Sequence, residues 1–539
     1  MFYFIPSWYN QERQWYDTTT IWSRVYDKME FDDTINQLKM FQEAKEKNAL
    51  LVLAYRPQLR YFLHKQDLQA TPYWSFFDDI QNITRKNTQK LDFKALNWPE
   101  QTTFLYSPFI VLARRKEQTL ARIYFAENGN LLSIDTEENG QITQTFVFDD
   151  RGFLSSSLFY KSGKPHHQDY YNEQGVWQVR ESLVGDGAIQ INEEADKSFA
   201  KQRYTSWEEL LRERLAVFSQ KILTKEDTFV IASDERHNAL LVETFKPYAK
   251  IFSFFGGRFD MSHKKELASV LSHTQLVITE KEETKSLIEA SIRELSKKKG
   301  RGKKAQKKKQ VFQAPSVLVS TPFDSRLRLG HSQSQKELEI YLFIDTISPK
   351  ERQELLEKII SLMETNQDIH LTLGTYDRSI DAKAYKADID NLIYDRYDPS
   401  LFFTSLSDSG ENQIDDSEEE DNKRIKVQVI TSETQIISLL DHTRLVIDLG
   451  VEPDLYTQIA SISAGIPQIN SVKTEYVTHL KNGWILTEPK DVTKAIHYYF
   501  DGLRNWNDAL VYAVEKMGDY TSGKLLARWK EELKTIAHE

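Results

Sequence analysis

The sequence predicts an α/β protein with two Rossmann-like lobes, the N-terminal one interrupted by an antiparallel β-meander. Three observations carry this prediction. Short apolar runs alternate with amphipathic stretches through most of the chain, the pattern of parallel sheets flanked by helices. The runs fall into two series, one in each half. A stretch of different texture, with regularly spaced glycines, breaks into the first series.

Strands in the first series are expected at Phe2–Ile5, Leu50–Ala54, Thr228–Ala232, Ile251–Phe255 and Leu276–Thr279. Those of the second are expected at Glu339–Ile344, His370–Leu373, Lys426–Ile430 and Leu445–Leu449. Amphipathic stretches such as 205–222 and 349–363 supply covering helices. In the interrupting stretch Gly129, Gly152 and Gly175 stand 23 residues apart, with Gly140 and Gly163 between them at the same interval. A glycine every 11 or 12 residues is the spacing of successive hairpins in a meander, where glycine provides the positive φ of the turn. The meander is assigned to 102–192, splitting the first lobe into 1–101 and 193–295. The second lobe is assigned to 315–500, and helices over 501–539 are expected to pack back on the first lobe.

Two charge runs break the apolar periodicity. Residues 297–309, KKKGRGKKAQKKK, hold nine Lys or Arg and no acid; residues 407–421 hold eight acids and no base. Like-charge blocks of this size seldom pack, so a basic linker or loop at 296–314 and an acidic loop at 407–421 are expected to be disordered.

Composition narrows the function. The 539 residues suit about three or four domain-sized units. A net charge of -10 argues against nucleic-acid binding, which needs a basic face. The absence of cysteine excludes disulfides, thiolate metal sites and a cysteine nucleophile, and suits a reducing cytoplasm. The opening MFYFIPSWYNQER lacks a basic n-region, and its apolar stretch stops at Pro6, so no signal peptide is expected. No apolar run approaches the roughly 18 residues of a membrane span.

The most informative motif lies in the second half. LVIDLGVEPDLYTQIASISAGIPQINSVKTEYVTHLKNGWIL, from residue 445, combines a strand, an acidic loop, a small-residue helix, Gly-x-Pro and an Asn-Gly turn. Over about 425–530 it resembles the second lobe of GT-B glycosyltransferases. The resemblance implies a donor site built from an Arg, a Lys five residues later, and a loop with two glutamates separated by seven residues. Here Asp345 falls on the arginine position, Lys350 on the lysine, Glu452 on the first glutamate and Ala460 on the second, with Gly465 opening the Gly-x-Pro turn. A guanidinium neutralises charge growing on a departing diphosphate; a carboxylate repels it. Ala460 cannot accept a hydrogen bond from a sugar or ribose. No catalytic, cofactor or metal residue is assigned, and no cofactor is expected. The alternative is an active glycosyltransferase that modifies a protein acceptor, with Lys350 and Glu452 still holding a nucleotide sugar.

The first half agrees. Active enzymes often follow the first strand with a glycine-rich loop that cradles phosphate, yet the chain holds no glycine before Gly129. Trp8, Trp15 and Trp22 occupy that region instead, read as core or lobe packing, with a partner contact as the other reading. Gly256-Gly257 reads as a strand-to-loop turn. GDYTSGKL at 518–525 imitates a P-loop, but Leu525 replaces the magnesium-binding hydroxyl and a helical pattern precedes it. His166-His167 lacks ligand spacing and reads as a surface turn. The cations Lys297, Lys298, Lys299, Arg301, Lys303, Lys304, Lys307, Lys308 and Lys309 have three readings: a solvated linker, attraction to anionic lipid, or contact with an acidic partner, including segment 407–421.

Taken whole, the chain resembles the glycosyltransferase-like member of the three accessory secretory proteins of Gram-positive cocci. The opening FYFIPSWY, the block STPFDSRLRLGHSQSQKELEIYLFID (320–345) and the altered loop at 452–467 carry this. The resemblance implies a non-enzymatic subunit of the accessory Sec system, peripheral at the cytoplasmic face of the membrane. Implied partners are two sibling accessory proteins, the motor ATPase and a serine-rich repeat adhesin. The meander likewise resembles the added β-domain of enzymes that glycosylate such adhesins, which implies contact with the substrate polypeptide.

Overall fold

A computed structural model describes residues 1–10, 13–16, 32–300, 313–325, 329–404, 421–422 and 424–538. The chain divides into two compact units. The first comprises mainly residues 33–322 together with the opening residues and those from Arg528; the second is mainly residues 323–527.

The first unit is built on a seven-stranded parallel sheet. Its order is Ser316–Val319, Leu276–Thr279, Ala249–Phe254, Thr228–Ala232, Phe2–Ile5, Asn48–Val52 and Tyr73–Ser75. The opening strand sits inside the sheet, bonded on both edges, which is why FYFI is apolar throughout. The helices Asp33–Glu43, Trp207–Ile222, Asn238–Thr244, Lys264–Leu271 and Glu282–Gly300 connect or flank its strands. Ser206 caps helix Trp207–Ile222, its hydroxyl accepting from the Glu209 amide at 3.4 Å.

Three boundaries differ from expectation. The second lobe was expected to begin at 315, but Ser316–Val319 pairs in parallel with Leu276–Thr279 and completes the first sheet. Helix Glu282–Gly300 supplies the crossover that returns the chain alongside its own preceding strand, so the first three lysines of the basic run continue a helix. The helices of 501–539 were expected on the first lobe, but Leu503–Met517 belongs to the second unit, and only the end of helix Ser522–His538, from Arg528, lies in the first. There Trp529 is fully buried, 5.6 Å from the Phe41 ring, and donates its indole N–H to Ser320 Oγ.

The inserted sheet has ten strands in strict sequence order, from Thr103–Tyr106 to Arg203–Tyr204, all antiparallel. It runs past the expected end at 192 because the returning chain adds Arg203–Tyr204 before helix Trp207–Ile222 begins. All five periodic glycines have positive φ. Gly152 is constrained twice: its φ is +84°, and a Cβ there would lie 1.9 Å from the Gln89 carbonyl oxygen.

That same hairpin ties the insertion to the parallel sheet. Arg60, from helix Leu59–Lys65, donates to Asp149 at 2.8 Å and to Asp150 at 2.6 Å. Arg151 donates to Asp149 and, through both terminal nitrogens, to Asp78 at 2.8 and 3.0 Å. Asp149, Asp150 and Arg151 are all buried. Behind them Tyr55, Phe77, Tyr170 and Trp207 form an aromatic cluster with centroid separations of 5.1–5.6 Å. Trp15 is 2 % exposed and lies edge-on to Tyr9, while Trp8 packs on Phe62 beneath Arg56. Two of the three early tryptophans are therefore core; Trp22 lies outside the described residues.

The second unit holds a six-stranded parallel sheet in the order Ile425–Val429, Ile369–Thr375, Leu338–Phe343, Leu445–Asp448, Gln468–Asn470 and Gly483–Ile485. Helices Pro349–Thr365, Ala382–Arg396, Glu433–Leu440, Leu455–Ala464, Val492–Phe500 and Leu503–Met517 complete it. Buried Trp506 anchors the last of these, donating to the Arg444 carbonyl while the Arg444 guanidinium lies 4.3 Å from its ring.

Removing a buried partner from the hairpin clamp leaves uncompensated charge. Arg151→Ala is expected to cost about 3–5 kcal/mol. Lys65→Ala, which breaks the exposed pair with Glu127, is expected to cost less than about 1 kcal/mol. Urea unfolding of the two variants measures the contrast.

Candidate functional site

In open parallel α/β sheets, ligands bind beyond the carboxyl ends of the strands. In the second unit those ends carry acids. Asp345 follows strand Leu338–Phe343 and accepts from the Thr375 hydroxyl at 2.5 Å and the Tyr376 amide at 2.8 Å, so both its oxygens are engaged by the end of the neighbouring strand. Asp448 ends strand Leu445–Asp448 and is buried. It accepts from the Thr346 hydroxyl (2.6 Å), the Gly450 amide (3.2 Å) and the Asp454 amide (2.7 Å). Asp454 in turn caps helix Leu455–Ala464, accepting from the Thr457 amide and the Tyr376 hydroxyl, each at 2.8 Å.

The electrostatics follow from this crowding. Burial, only partly offset by these donors, pushes the Asp448 carboxyl up to about 6. Burial also raises Asp454, with the charge of Asp345 adding to it. Tyr341 lies fully buried among them; burial and then the charges of Asp454, Asp448 and Asp345 raise its hydroxyl well above the usual range. Among the described residues, no lysine or arginine forms an ion pair with any of the three acids.

The expected donor-site positions are not gathered into one cluster. Lys350 is the second residue of helix Pro349–Thr365, whose start is set by Pro349 and a capping box between Ser348 and Glu351. Its ammonium is 87 % exposed and 3.9 Å from Glu354 on the next turn. Glu452 is exposed in the loop before helix Leu455–Ala464. Ala460 is half-buried on that helix, against the cluster of Tyr341, Phe343, Tyr376 and Val446. Gly465 closes the helix at φ +74°, where a Cβ would lie 2.5 Å from Leu510; its role here is to end the helix. Asp448 and Asp454 were missed by the sequence reasoning. A signal existed, since Asp454 stands at an N-cap before a small-residue helix.

In the first unit, the loop after the opening strand is tied down by its own side chains. The Ser7 hydroxyl donates to Asp234, and the Tyr9 hydroxyl pairs with His237 Nδ1 at 2.7 Å. Arg236 donates twice to Asp234, holding that carboxylate below its ordinary range against the opposing effect of burial. His237 is buried, which lowers it to about 4, and its Nε2 faces the Ala232 carbonyl at 2.7 Å. The Gly256 amide, available in principle to a phosphate, donates to Glu280 at 3.1 Å. Gly256-Gly257 serves as a turn.

Lys297 is exposed near the end of helix Glu282–Gly300, and Lys298 and Lys299 continue the helix backbone. Arg301, Lys303, Lys304, Lys307, Lys308 and Lys309 lie outside the described residues, as does the acidic run apart from Asp421. No helix among the described residues is long and apolar enough to cross a membrane.

Comparison with known proteins places this geometry. The family model for the accessory Sec system protein 1 (accessory secretory protein 1) matches residues 1–536. The chain belongs to that family. A relative from Streptococcus gordonii bearing that family name is 34% identical over 545 residues, covering 100% of both chains. Among solved structures, a chain of the glycosylation-associated protein (Gap123) complex from Streptococcus agalactiae is 38% identical, with a TM-score of 0.78 over 99% of this chain and 100% of that one. A chain of the complex of accessory secretory proteins 1, 2 and 3 from Streptococcus pneumoniae is 30% identical, with a TM-score of 0.79 over 100% of both. The pneumococcal O-GlcNAc transferase in complex with UDP and GlcNAc has a TM-score of 0.67 at 10% identity, over 100% of this chain and 99% of that one, and shows the shared fold. The protein is an accessory Sec component with a GT-B-like glycosyltransferase fold. Its relatives' complexes support sibling accessory proteins as partners.

The carboxyl of Asp448 has its own pH signature. Raised from 3.8 to about 6 on folding, it favours the folded state when protonated, and that contribution is lost as pH rises through about 6. From pH 4 to pH 7 the unfolding free energy of Asp448→Asn is expected to gain about 2 kcal/mol on the native protein's, since each tenfold change in proton affinity is worth about 1.4 kcal/mol. Urea denaturation of both proteins across that range measures the difference.

Proposed function

We propose that the protein is a non-catalytic, glycosyltransferase-like subunit of the accessory Sec machinery. It acts with its two sibling proteins and the motor ATPase to move a serine-rich glycosylated adhesin across the cytoplasmic membrane, working at the inner membrane face. The observation that carries the non-catalytic reading is the set of carboxylates, Asp345, Asp448 and Asp454, at the strand ends where a sugar nucleotide would present its diphosphate. Like charges in a poorly solvated setting repel strongly. Ala460, packed against apolar neighbours, offers the sugar no hydrogen bond.

The alternative, an active transferase holding a nucleotide sugar through Lys350 and Glu452, asks an exposed lysine next to Glu354 to supply the positive charge. Calorimetry with UDP, UDP-GlcNAc, UDP-glucose and the corresponding guanine and adenine nucleotide sugars separates the two readings. Silence across the panel is expected, and micromolar binding abolished by Lys350→Ala revives the enzyme.

The meander is proposed as a contact surface for the exported polypeptide. Affinity capture on the native chain is expected to retain both siblings, the motor and the adhesin, whereas retention of neither motor nor adhesin removes the export role. The nine cations of 297–309 support contact with anionic lipid, at about 1 kcal/mol per cation near the surface. Sedimentation with phosphatidylglycerol vesicles is expected to fall with salt and to disappear when 297–309 is deleted.

A further inference from the structure

Outside the sites above, one group of side chains has the composition of a metal site. Glu235 lies in the loop between strand Thr228–Ala232 and helix Asn238–Thr244, and His263 and Glu266 come from the start of helix Lys264–Leu271. One ligating atom from each lies within 4.8 Å of the other two. His263 stands at the N-cap position, yet its side chain makes no capping hydrogen bond. Its Nδ1 is instead turned to Glu235 Oε1, at 2.5 Å. Glu266 Oε1 is shut off from solvent and accepts no hydrogen bond of ordinary length among the described residues, although the Asn238 side chain interacts with this carboxyl. A carboxylate oxygen in that state lacks the donor or cation that such groups ordinarily have.

We propose that Glu235, His263 and Glu266 form a binding site for a divalent transition-metal cation of the Zn²⁺ type. One imidazole nitrogen and two carboxylate oxygens suit Zn²⁺, with water completing a four-coordinate shell, and disfavour Mg²⁺ and Ca²⁺, which take oxygen alone. The surroundings fit as well. Asp260 Oδ2 lies 3.9 Å from His263 Nε2, and Asp260 Oδ1 accepts from the Ser262 amide at 2.8 Å. A carboxylate behind the second nitrogen is the usual partner of a metal-bound histidine, setting its tautomer and orientation. The cation takes the place of the His263–Glu235 contact, and a metal-ligating imidazole must be unprotonated, so binding weakens as pH falls. It would join the start of helix Lys264–Leu271 to the loop that carries Asp234 and His237, the residues holding Ser7 and Tyr9.

The test uses the untagged full-length chain, stripped with chelator and titrated with Zn²⁺ by calorimetry. Bound metal is then quantified after desalting. One Zn²⁺ per chain is expected, with affinity lowered at least about tenfold by His263→Ala and by the near-isosteric Glu266→Gln. His166→Ala, at the adjacent His166–His167 pair of the meander, is expected to leave it unchanged. Co²⁺ in place of Zn²⁺ should give a visible absorption band that His263→Ala abolishes, with circular dichroism confirming that each variant is folded. Absence of stoichiometric metal, or binding that survives both substitutions (an adventitious ion only), overturns the assignment.

Discussion

Three acids, each stabilised by hydroxyl and amide donors, close the carboxyl ends of the second unit's central strands. Asp448 holds the loop that follows it through the Gly450 and Asp454 amides. Asp454 starts the next helix and binds Tyr376, and Tyr376 returns its amide to Asp345. The loop, the helix and two strand ends thus form one hydrogen-bonded system. Polar hydrogen bonds in a poorly solvated setting reinforce one another. A sheet of this kind elsewhere presents backbone N–H groups and cations to an anion. In this chain those amides are already bonded to carboxylates of its own.

The first unit repeats the device at its own strand ends. Asp234 receives Ser7 and Arg236, Asp33 receives both terminal nitrogens of Arg258 at 2.9 Å, and Glu280 takes the Gly256 amide. Asp78, Asp149 and Asp150 with Arg60 and Arg151 then join the inserted sheet to the parallel one. Buried pairs of this sort add little net stability compared with apolar packing, but they penalise any arrangement that separates the partners. They make the placement of the ten-stranded sheet specific, while the aromatic cluster around Trp207 supplies apolar burial.

Much of this architecture was legible in the chain itself. The apolar runs located nine of the thirteen strands of the two parallel sheets within one or two residues, because a strand buried on both faces must be apolar along its length. The 23-residue glycine period located the meander, because a hairpin turn needs positive φ and glycine adopts it at least cost. The boundary at 315 was misplaced because SVLV is equally apolar in either sheet; pairing with Leu276–Thr279 is a long-range choice that no local pattern encodes. For the same reason Arg203–Tyr204, a two-residue strand, leaves no periodic trace.

At the candidate site, the sequence by itself determined the identities at the key positions: an acid at 345, an alanine at 460, a glycine at 465, and no glycine in the first loop. Charge and side-chain chemistry are local properties and can be read from a letter. Tertiary structure alone decided that Asp448 and Asp454 join Asp345 around Tyr341 and Tyr376, residues scattered over more than a hundred positions of chain. It likewise brought Glu235 to His263 and Glu266. The physical reason is that parallel strands bring their carboxyl ends together only once the sheet has formed. Burial, which turns ordinary aspartates into a shared electrostatic system, exists only in the folded state.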